Sequence, residues 1–482
     1  MNLTKRVGCL AGAAALVLTG GSFADTKSQE TNEQLRTRVA DLESRLAAVE
    51  KGDNWLNEQR ADEVRGLVQD VLADADTRAS LLAQGMTAGY DNGAVIASAD
   101  GNWLLRTNLL MQQRFVINSQ SAGTVGAPGV AVPAIDEEIW DFETTRAKLI
   151  FTGNVVSPDW FYKVELNFGS PVSTTAFGPV INPGGVGPGQ PSGAGASVLP
   201  ADVRSIVQFQ DTYLGYDYGN GWKVLLGTMK APTLREELVE AQHQLLVERS
   251  NVNYFYTTGY VDGVALDYLG DQFHVMAMLS DGGATGGTVW STQDTDFALS
   301  ARVEWLAQGT WDQFTDFTSP NGSERGIMVG GALHYQTSED VGGLPDIDIL
   351  ILTGDVSVEY DGWNAFAALV YTSTDLPTPF LDVDTTAIVI QGGYYLSDNW
   401  ELFGRYEWSD FDLVTVPATE DLNIFTVGAT RYFAGHNAKW TTDIGIGFDE
   451  VSVAPANITG FRVDDVGEDG QVVIRSQVQI MF

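Results

Sequence analysis

Apolar and polar residues alternate one by one over most of this chain. In WFYKVELNF, residues 160–168, Tyr162 and Val164 share one face, while Lys163 and Glu165 share the other. The end of the chain, QVVIRSQVQIMF, shows the same pattern. Because successive side chains of a strand point to opposite faces, the pattern predicts β-strands that each carry one continuous apolar face.

The connections between these segments differ in length in a regular way. Short turns (SPD, GNG, YDG, SDN) alternate with long loops rich in Gly, Pro and Asp, such as 170–203 and 451–470. A soluble β-sandwich also alternates apolar and polar positions, with its apolar face toward a core. Short turns at one end and long loops at the other are typical of an up-and-down membrane barrel. We therefore predict an all-β transmembrane barrel of about 16 antiparallel strands.

Tryptophans follow the short turns almost directly. We interpret them as one aromatic girdle at a water–lipid interface, where an indole buries its ring and keeps its N–H hydrated. Aromatic residues of a soluble core would not recur directly after each short turn. The girdle residues are Trp160, Trp222, Trp363, Trp400 and Trp440.

The N-terminus predicts export. Lys5 and Arg6 precede an apolar run, and the small residues of GSFAD follow it, so residues 1–24 resemble a signal peptide. The chain has one cysteine, Cys9, which would leave with this peptide. We therefore expect an exported chain without disulfides.

In residues 25–60 the apolar residues repeat with a different period. Leu35, Val39, Leu42 and Leu46 are spaced alternately by four and three, which predicts a short periplasmic coiled coil. A surface helix packed on its own domain is the alternative. Residues 61–99 continue as a helical connector, and 100–482 form the barrel.

Charge excludes several functions. The chain has 27 Lys and Arg residues against 63 Asp and Glu residues, a net charge of −36, which argues against nucleic acid as a partner.

The 4 histidines are scattered and none pairs with a serine or acid at a useful spacing for catalysis. We expect no enzymatic activity, no cofactor and no metal site.

Two stretches resemble a known family. TTRAKLIFTGNVVSPDWFYKVELNFG (144–169) and QDTYLGYDYGNGWKVLLGTMKAPTLREELVEAQHQLLVERS (210–250) are similar to the phosphate-selective porin O/P family. The segments ADADTRASLL and GNWLLR look like the N-terminal module of planctomycete-type porins. The resemblance implies a homotrimer in the bacterial outer membrane, passive diffusion, and an inward-folded third loop near 230–255.

In such a channel, charges on the lumen face set which ions enter. Strand parity places a group of basic residues there, and the inward-folded loop adds mixed charges that include Glu240 and Glu248. For any one residue, simple solvation is the alternative. The predicted pore-lining residues are Arg106, Arg114, Arg146, Lys148, Lys163, Lys223, Lys230, Arg235, Glu236, Glu237 and Arg249.

The sequence leaves the solute and its charge open. Residues 100–482 contain 17 basic and 49 acidic residues. Glu401, Glu407 and Asp443 also fall at lumen positions, beside only Arg405 and Arg475. We expect an outer-membrane porin for small hydrophilic solutes or ions, and the acidic surplus favours a weakly selective or cation-preferring pore at least as much as an anion pore. The alternatives are a tether to the cell wall, with a largely closed barrel, and a barrel-embedded hydrolase.

Overall fold

The computed structural model describes residues 37, 39–41, 43–44, 85–121, 138–169, 207–283, 295–338, 347–375, 383–410, 421–451, 458–464 and 468–482. The chain divides into two compact units, Met1–Leu81 and Leu82–Phe482. The predicted signal peptide lies outside the described residues, as does most of the predicted coiled coil. The few residues described there, between 37 and 44, are helical.

The second unit is a closed antiparallel barrel of sixteen strands. Its strands are β3 (Leu104–Ser119), β4 (Glu138–Val155), β5 (Ser157–Asn167), β6 (Gln208–Gly219), β7 (Trp222–Lys230), β8 (Tyr260–Leu269), β9 (Phe273–Ser280), β10 (Thr295–Gln308), β11 (Gly326–Ser338), β12 (Ile347–Tyr360), β13 (Trp363–Asp375), β14 (Val383–Ser397), β15 (Trp400–Ser409), β16 (Leu422–Tyr432), β17 (Ala438–Gly447) and β18 (Val472–Met481). Each strand pairs with the next in the chain, and β18 pairs with β3 to close the ring. The predicted strand number is confirmed.

Two short strands precede the barrel. β1 (Met86–Tyr90) and β2 (Ala94–Ser98) form a hairpin, and β2 pairs with the first residues of β3. The prediction of a helical connector over 61–99 is therefore wrong for its final part. The turn residues Asn92 (φ 45°) and Gly93 (φ 142°) have positive φ, which suits an Asn-Gly hairpin.

The barrel is apolar outside and polar inside. On β15, the side chains of Glu401, Arg405 and Glu407 are at most 2% exposed. Between them, Leu402 (44% exposed) and Tyr406 (36% exposed) face outward. A soluble protein has the opposite arrangement, because water favours polar groups on the surface. The predicted parity of the strands is confirmed, and the outer face suits a hydrocarbon environment.

Connections at the two ends of the barrel differ as predicted. At one end, called here the turn side, most connections are short, such as Asn220–Gly221 and Asp361–Gly362; both asparagine and aspartate there have positive φ (53° and 37°). At the other end, the loop side, most connections run partly through residues outside the described ranges. The turn-side exception is the long connection 309–325 between β10 and β11.

One connection folds into the barrel. Residues 231–259, called here the inserted segment, join β7 to β8 and contain the helices Arg235–Leu238, Ala241–His243 (3-10) and Asn251–Tyr256. A further 3-10 helix, Trp311–Thr315, lies in the 309–325 connection. Among the described residues no helix is long and apolar enough to cross a bilayer.

If the outer face contacts lipid, a charged substitution there should destabilise the barrel. Val427 is 48% exposed on β16, between the barrel's two ends, and Val427→Arg is expected to lower the free energy of unfolding by about 2–4 kcal/mol in a lipid bilayer. The cost arises because the guanidinium must be held in hydrocarbon. Denaturant unfolding in liposomes measures it. Val427→Leu is the control, and an equally small effect of both substitutions would contradict a lipid-facing position.

Candidate functional site

The inserted segment is anchored to both sides of the barrel. On one side, Nη1 and Nη2 of Arg146 (β4) donate to Oε2 and Oε1 of Glu248, at 2.8 and 2.7 Å. The Tyr254 hydroxyl donates to the same carboxylate at 2.9 Å. On the other side, the Asn251 backbone N–H donates to Glu407 Oε2 on β15 at 2.5 Å. The segment therefore crosses the barrel interior.

A second ionic group joins the segment to β4–β7. Lys163 Nζ lies 2.6 Å from Asp211, 3.0 Å from Glu240 and 3.2 Å from Glu165. Lys148 Nζ lies 2.5 Å from Glu165, and Lys230 Nζ lies 3.3 Å from Glu240. Glu165 and Asp211 were not predicted as site residues, although their inward parity could have indicated them. This group contains three ammonium and three carboxylate groups, and we call it the lysine–carboxylate group.

The three carboxylates lie close enough together to suggest a metal site, since one oxygen atom of each is within 4.8 Å of the others. Lysine ammonium groups already contact all three carboxylates at 2.5–3.3 Å. These cations neutralise the charge that would attract a metal ion. The arrangement is better explained as an ion-pair network.

Several predicted pore residues serve the segment itself. Arg249 donates to the backbone carbonyls of Glu236, Glu237 and Val239, at 3.0, 3.2 and 2.8 Å. Glu236 accepts from the Ser250 N–H at 2.7 Å. The same serine caps the Asn251–Tyr256 helix by accepting from the Asn253 N–H at 2.8 Å. These bonds fix the shape of the segment.

Other predicted residues have additional partners, and Arg114 also lies 3.8 Å from Glu248. Arg106 pairs with Asp91 of the β1–β2 turn at 2.8 Å. Arg114 pairs with Glu143 and donates to the Ile458 carbonyl at 2.6 Å. Lys223 Nζ lies 5.8 Å from the centre of the Phe161 ring.

Arg235 belongs to a different neighbourhood. It donates to the Phe314 carbonyl and lies 5.8 Å from the Phe317 ring, so it contacts the 309–325 connection. The sequence therefore does not identify the partners of these charges.

The segment packs against β12–β18 through apolar side chains. Val252, Phe255 and Tyr256 are at most 1% exposed and belong to one cluster with Val389 and Phe403 of the wall. Behind them, Asp443 (β17) is bound by Arg475 at 2.7 Å. Glu407 and Asp443 accept from the backbone N–H groups of Asn251 and Val247, so the inserted segment covers them. Glu401 is 0% exposed and accepts from Asn364 and Tyr432 of the wall.

Water reaches the opposite wall. The side chains of Arg146, Lys163 and Glu240 are 12%, 16% and 28% exposed, while those of Arg405 and Glu407 are each 1% exposed. The accessible charged surface of the inserted segment therefore faces β4–β7.

The five predicted girdle tryptophans all lie near the turn side. Each is 36–43% exposed. Trp160 and Trp222 contact Tyr216 and Tyr268 on adjacent strands, with ring centroids 4.8 and 4.7 Å apart. This position suits the predicted interface.

The Glu248 contact gives a pH prediction. Burial alone would raise the pKa of Glu248, but the charges of Arg146 and Arg114 outweigh it and hold this pKa below its ordinary value of 4.5. A lowered pKa contributes stability above pH 4.5 that is lost as the pH falls toward the folded-state pKa. We expect thermal stability in detergent to fall on acidification below pH 4.5, and Glu248→Gln to weaken this dependence. Identical acid sensitivity of both proteins would contradict the assignment.

The chain matches a known protein family. The family model for phosphate-selective porin O and P matches residues 136–411, more than half of the chain. Comparison with curated protein sequences gives no match.

Solved porin structures share the fold. OmpT of Vibrio cholerae covers 79% of this chain and 98% of its own, at 12% identity and a TM-score of 0.50. An anion-selective porin from Comamonas acidovorans covers 79% and 100%, at 11% identity and a TM-score of 0.51. The outer-membrane channel DcaP of Acinetobacter baumannii covers 82% and 100%, at 12% identity and a TM-score of 0.50. The chain therefore belongs to the phosphate-selective porin O and P family and is a non-enzymatic outer-membrane β-barrel channel for small solutes and ions.

Proposed function

We propose that this porin forms a narrow, weakly selective pore, and that its solute path runs between the inserted segment and the β4–β7 wall. The exposure of the charged side chains supports this location of the solute path. Arg146, Lys163 and Glu240 are more accessible to water than Arg405 and Glu407 on the opposite wall. The sealed apolar contact with β12–β18 leaves this wall as the polar route.

Charge pairing supports weak selectivity. Lys163 contacts three carboxylates within 3.2 Å, and Arg146 binds Glu248 through both terminal nitrogens, Nη1 and Nη2. A cation whose charge is neutralised this closely attracts a passing anion less strongly than a free one. We therefore propose no strong preference for phosphate, and small ions of both signs as solutes.

Single-channel current in a planar bilayer tests this proposal. We expect conductance steps, a reversal potential close to zero under a KCl gradient, and little block by phosphate. A strongly anion-directed potential with phosphate block would contradict weak selectivity. Absence of steps in the folded protein would instead favour a tether with a closed barrel, an alternative to which the close packing of the inserted segment gives some support.

Lys223 offers a direct test of the path. It is partly exposed on β7, with Asp217 and Asp267 as its cross-strand neighbours. Lys223→Glu is expected to shift the cation-to-anion permeability ratio by about fivefold toward cations, the effect of roughly 1 kcal/mol for one charge at about 4 Å in water. Arg431→Glu makes the same charge change at Arg431, which stacks with Trp400 on the outer face. An equal shift in both variants would contradict the proposed path.

We further propose that the barrel is a homotrimer in contact through β3, β4, β17 and β18. The outer face of these strands carries a polar strip. Gln113 and Thr144 exchange hydrogen bonds at 2.9 and 3.1 Å, and the Trp440 indole N–H donates to Ser476 at 2.8 Å. Polar groups are unfavourable against lipid, so the strip supports a subunit contact.

Cross-linking tests this contact. Gln113→Cys is expected to cross-link subunits in the membrane. Val303→Cys, an exposed position on β10 outside the strip, is the control. Cross-linking through Val303→Cys alone would place the interface elsewhere.

The N-terminal region completes the proposal. We propose that 25–60 forms the predicted periplasmic coiled coil, which holds the trimer together and contacts the cell wall. Its heptad spacing of apolar residues supports this role. Removal of 25–60 should lower the dissociation temperature of the trimer without abolishing single-channel current. An unchanged dissociation temperature would contradict it.

A further inference from the structure

We propose that the β10–β11 connection, 309–325, is a second occluding element, which closes the turn-side mouth of the barrel below β11–β17. Solutes would then leave the barrel off-centre, along β4–β9. This inference rests on the proposed solute path. It concerns the opposite end of the barrel from the entry of the inserted segment.

The connection folds inward instead of turning in solvent. Phe317, Thr318 and Ser319 are at most 4% exposed. The Phe317 ring centroid lies 4.9 Å from that of Phe366 on the inner face of β13. Phe314 packs on Leu306 in a separate small cluster. Aromatic side chains in the connection therefore anchor it to the barrel interior.

Contacts with neighbouring turns carry the connection across the mouth. The Trp311 indole N–H donates to the Gly270 carbonyl at 2.8 Å, in the β8–β9 turn. The Gly322 N–H donates to Asp361 Oδ1 of the β12–β13 turn at 2.8 Å.

The remaining two contacts extend further around the rim. The Asn321 amide lies 3.4 Å from Asp398 of the β14–β15 turn. Asp316 Oδ2 lies 3.2 Å from His436 Nε2 in the β16–β17 turn. One connection thus contacts four turns of the rim, from the β8–β9 turn to the β16–β17 turn.

The connection also meets the inserted segment. The Phe317 N–H donates to the His243 carbonyl at 3.4 Å. The His243 and His436 rings lie 5.0 Å apart between centroids. Burial, together with the neighbouring His436, lowers the pKa of His243 to about 4, so this ring is neutral near neutral pH. Two elements that enter from opposite ends of the barrel therefore contact each other inside it.

Residues behind the connection are separated from water. Glu401 is 0% exposed and Ser357, on β12 opposite Phe366, is 4% exposed. His274, on β9, is 30% exposed, although its ring centroid lies 6.0 Å from that of Trp311 at the start of the connection. Water therefore reaches the interior near β9 but not beside β12 and β15.

Cysteine accessibility tests the proposal, because residues 10–482 contain no native cysteine. Ser357→Cys, a nearly isosteric change, and Lys223→Cys are each treated with a charged thiol reagent in the full-length protein in bilayers. We expect Lys223→Cys to react quickly with a drop in current, and Ser357→Cys to react at least tenfold more slowly. Equal reactivity in the otherwise unaltered protein would overturn the proposal.

A second measurement uses a variant in which the 309–325 connection loses its contacts with the barrel wall. The double substitution Asp316→Ala and Phe317→Ala removes its contacts with His436 and Phe366, and should raise both the single-channel conductance and, roughly tenfold or more, the reactivity of Ser357→Cys. Thr315→Ala, at an exposed position of the same connection, is the control and should change neither. Unchanged conductance and reactivity in a folded double variant would overturn the second occluding element. Absence of conductance steps in the parent protein would instead refute the proposed function.

Discussion

Arg405→Met is expected to lower the free energy of unfolding by about 3–5 kcal/mol, one of the two largest effects that we expect in this protein. The Arg405 guanidinium lies 2.9 Å from Glu407 and 3.3 Å from Glu236, and all three side chains are at most 3% exposed. Removal of the cation leaves two buried carboxylates without their compensating charge. Equilibrium unfolding in detergent or liposomes measures the loss.

Two further variants sharpen this test. Arg431→Met removes an exposed arginine on the outer face, and a change within about 0.5 kcal/mol is expected. Adding Glu407→Met to Arg405→Met should recover part of the stability, because one uncompensated charge is removed. A loss below about 1 kcal/mol for Arg405→Met alone would show that the inserted segment does not depend on this contact.

Phe255→Ala is expected to cost about 3–5 kcal/mol and to raise the single-channel conductance. Phe255 is 1% exposed in the apolar cluster that seals the inserted segment against β12–β18. The substitution creates a cavity at that contact and loosens the segment. Phe433→Ala makes the same change at a side chain that is 61% exposed, and should have little effect on either quantity. Similar losses in both variants would contradict the sealing role.

The interior of this barrel resembles a protein core in one half and a polar channel wall in the other. Apolar packing on β12–β18 fixes the position of the inserted segment. Ion pairs on β4–β7 hold its other side while leaving Lys163 and Glu240 accessible to water. Because buried ion pairs are costly to break singly, these contacts hold the segment in place at neutral pH.

Period-two alternation was sufficient to predict the barrel. On β15 the sequence WELFGRYEWS predicts an outward Leu402 and an inward Arg405, and the structure has both. The short turns with Asn-Gly and Asp-Gly predicted one end of the barrel, because these residues accept the positive φ that a tight hairpin requires. The hairpin β1–β2 was missed since two five-residue strands give too few alternations to separate them from a helical connector.

The sequence does not show which charged residues contact each other. Arg146 and Glu248 lie about a hundred residues apart in sequence, and parity alone cannot show that they bind. The acids on β15 and β17 were expected to influence the lumen because parity directs them inward. The inserted segment covers Glu407 and Asp443, and no local sequence pattern indicates these contacts.

The sequence by itself determined the strands, their apolar outer faces, the turn side and loop side, and the family. The strands, their outer faces and the two ends follow from local backbone preference and from which side chains tolerate lipid. The family follows from the resemblance of 144–169 and 210–250. Only the tertiary structure decided that residues 231–259 seal one wall and leave the other accessible, and that Phe317 in the 309–325 connection reaches the same interior. The reason is that these contacts join residues far apart in the chain, so their partners are set by the closure of the barrel rather than by any neighbouring residues.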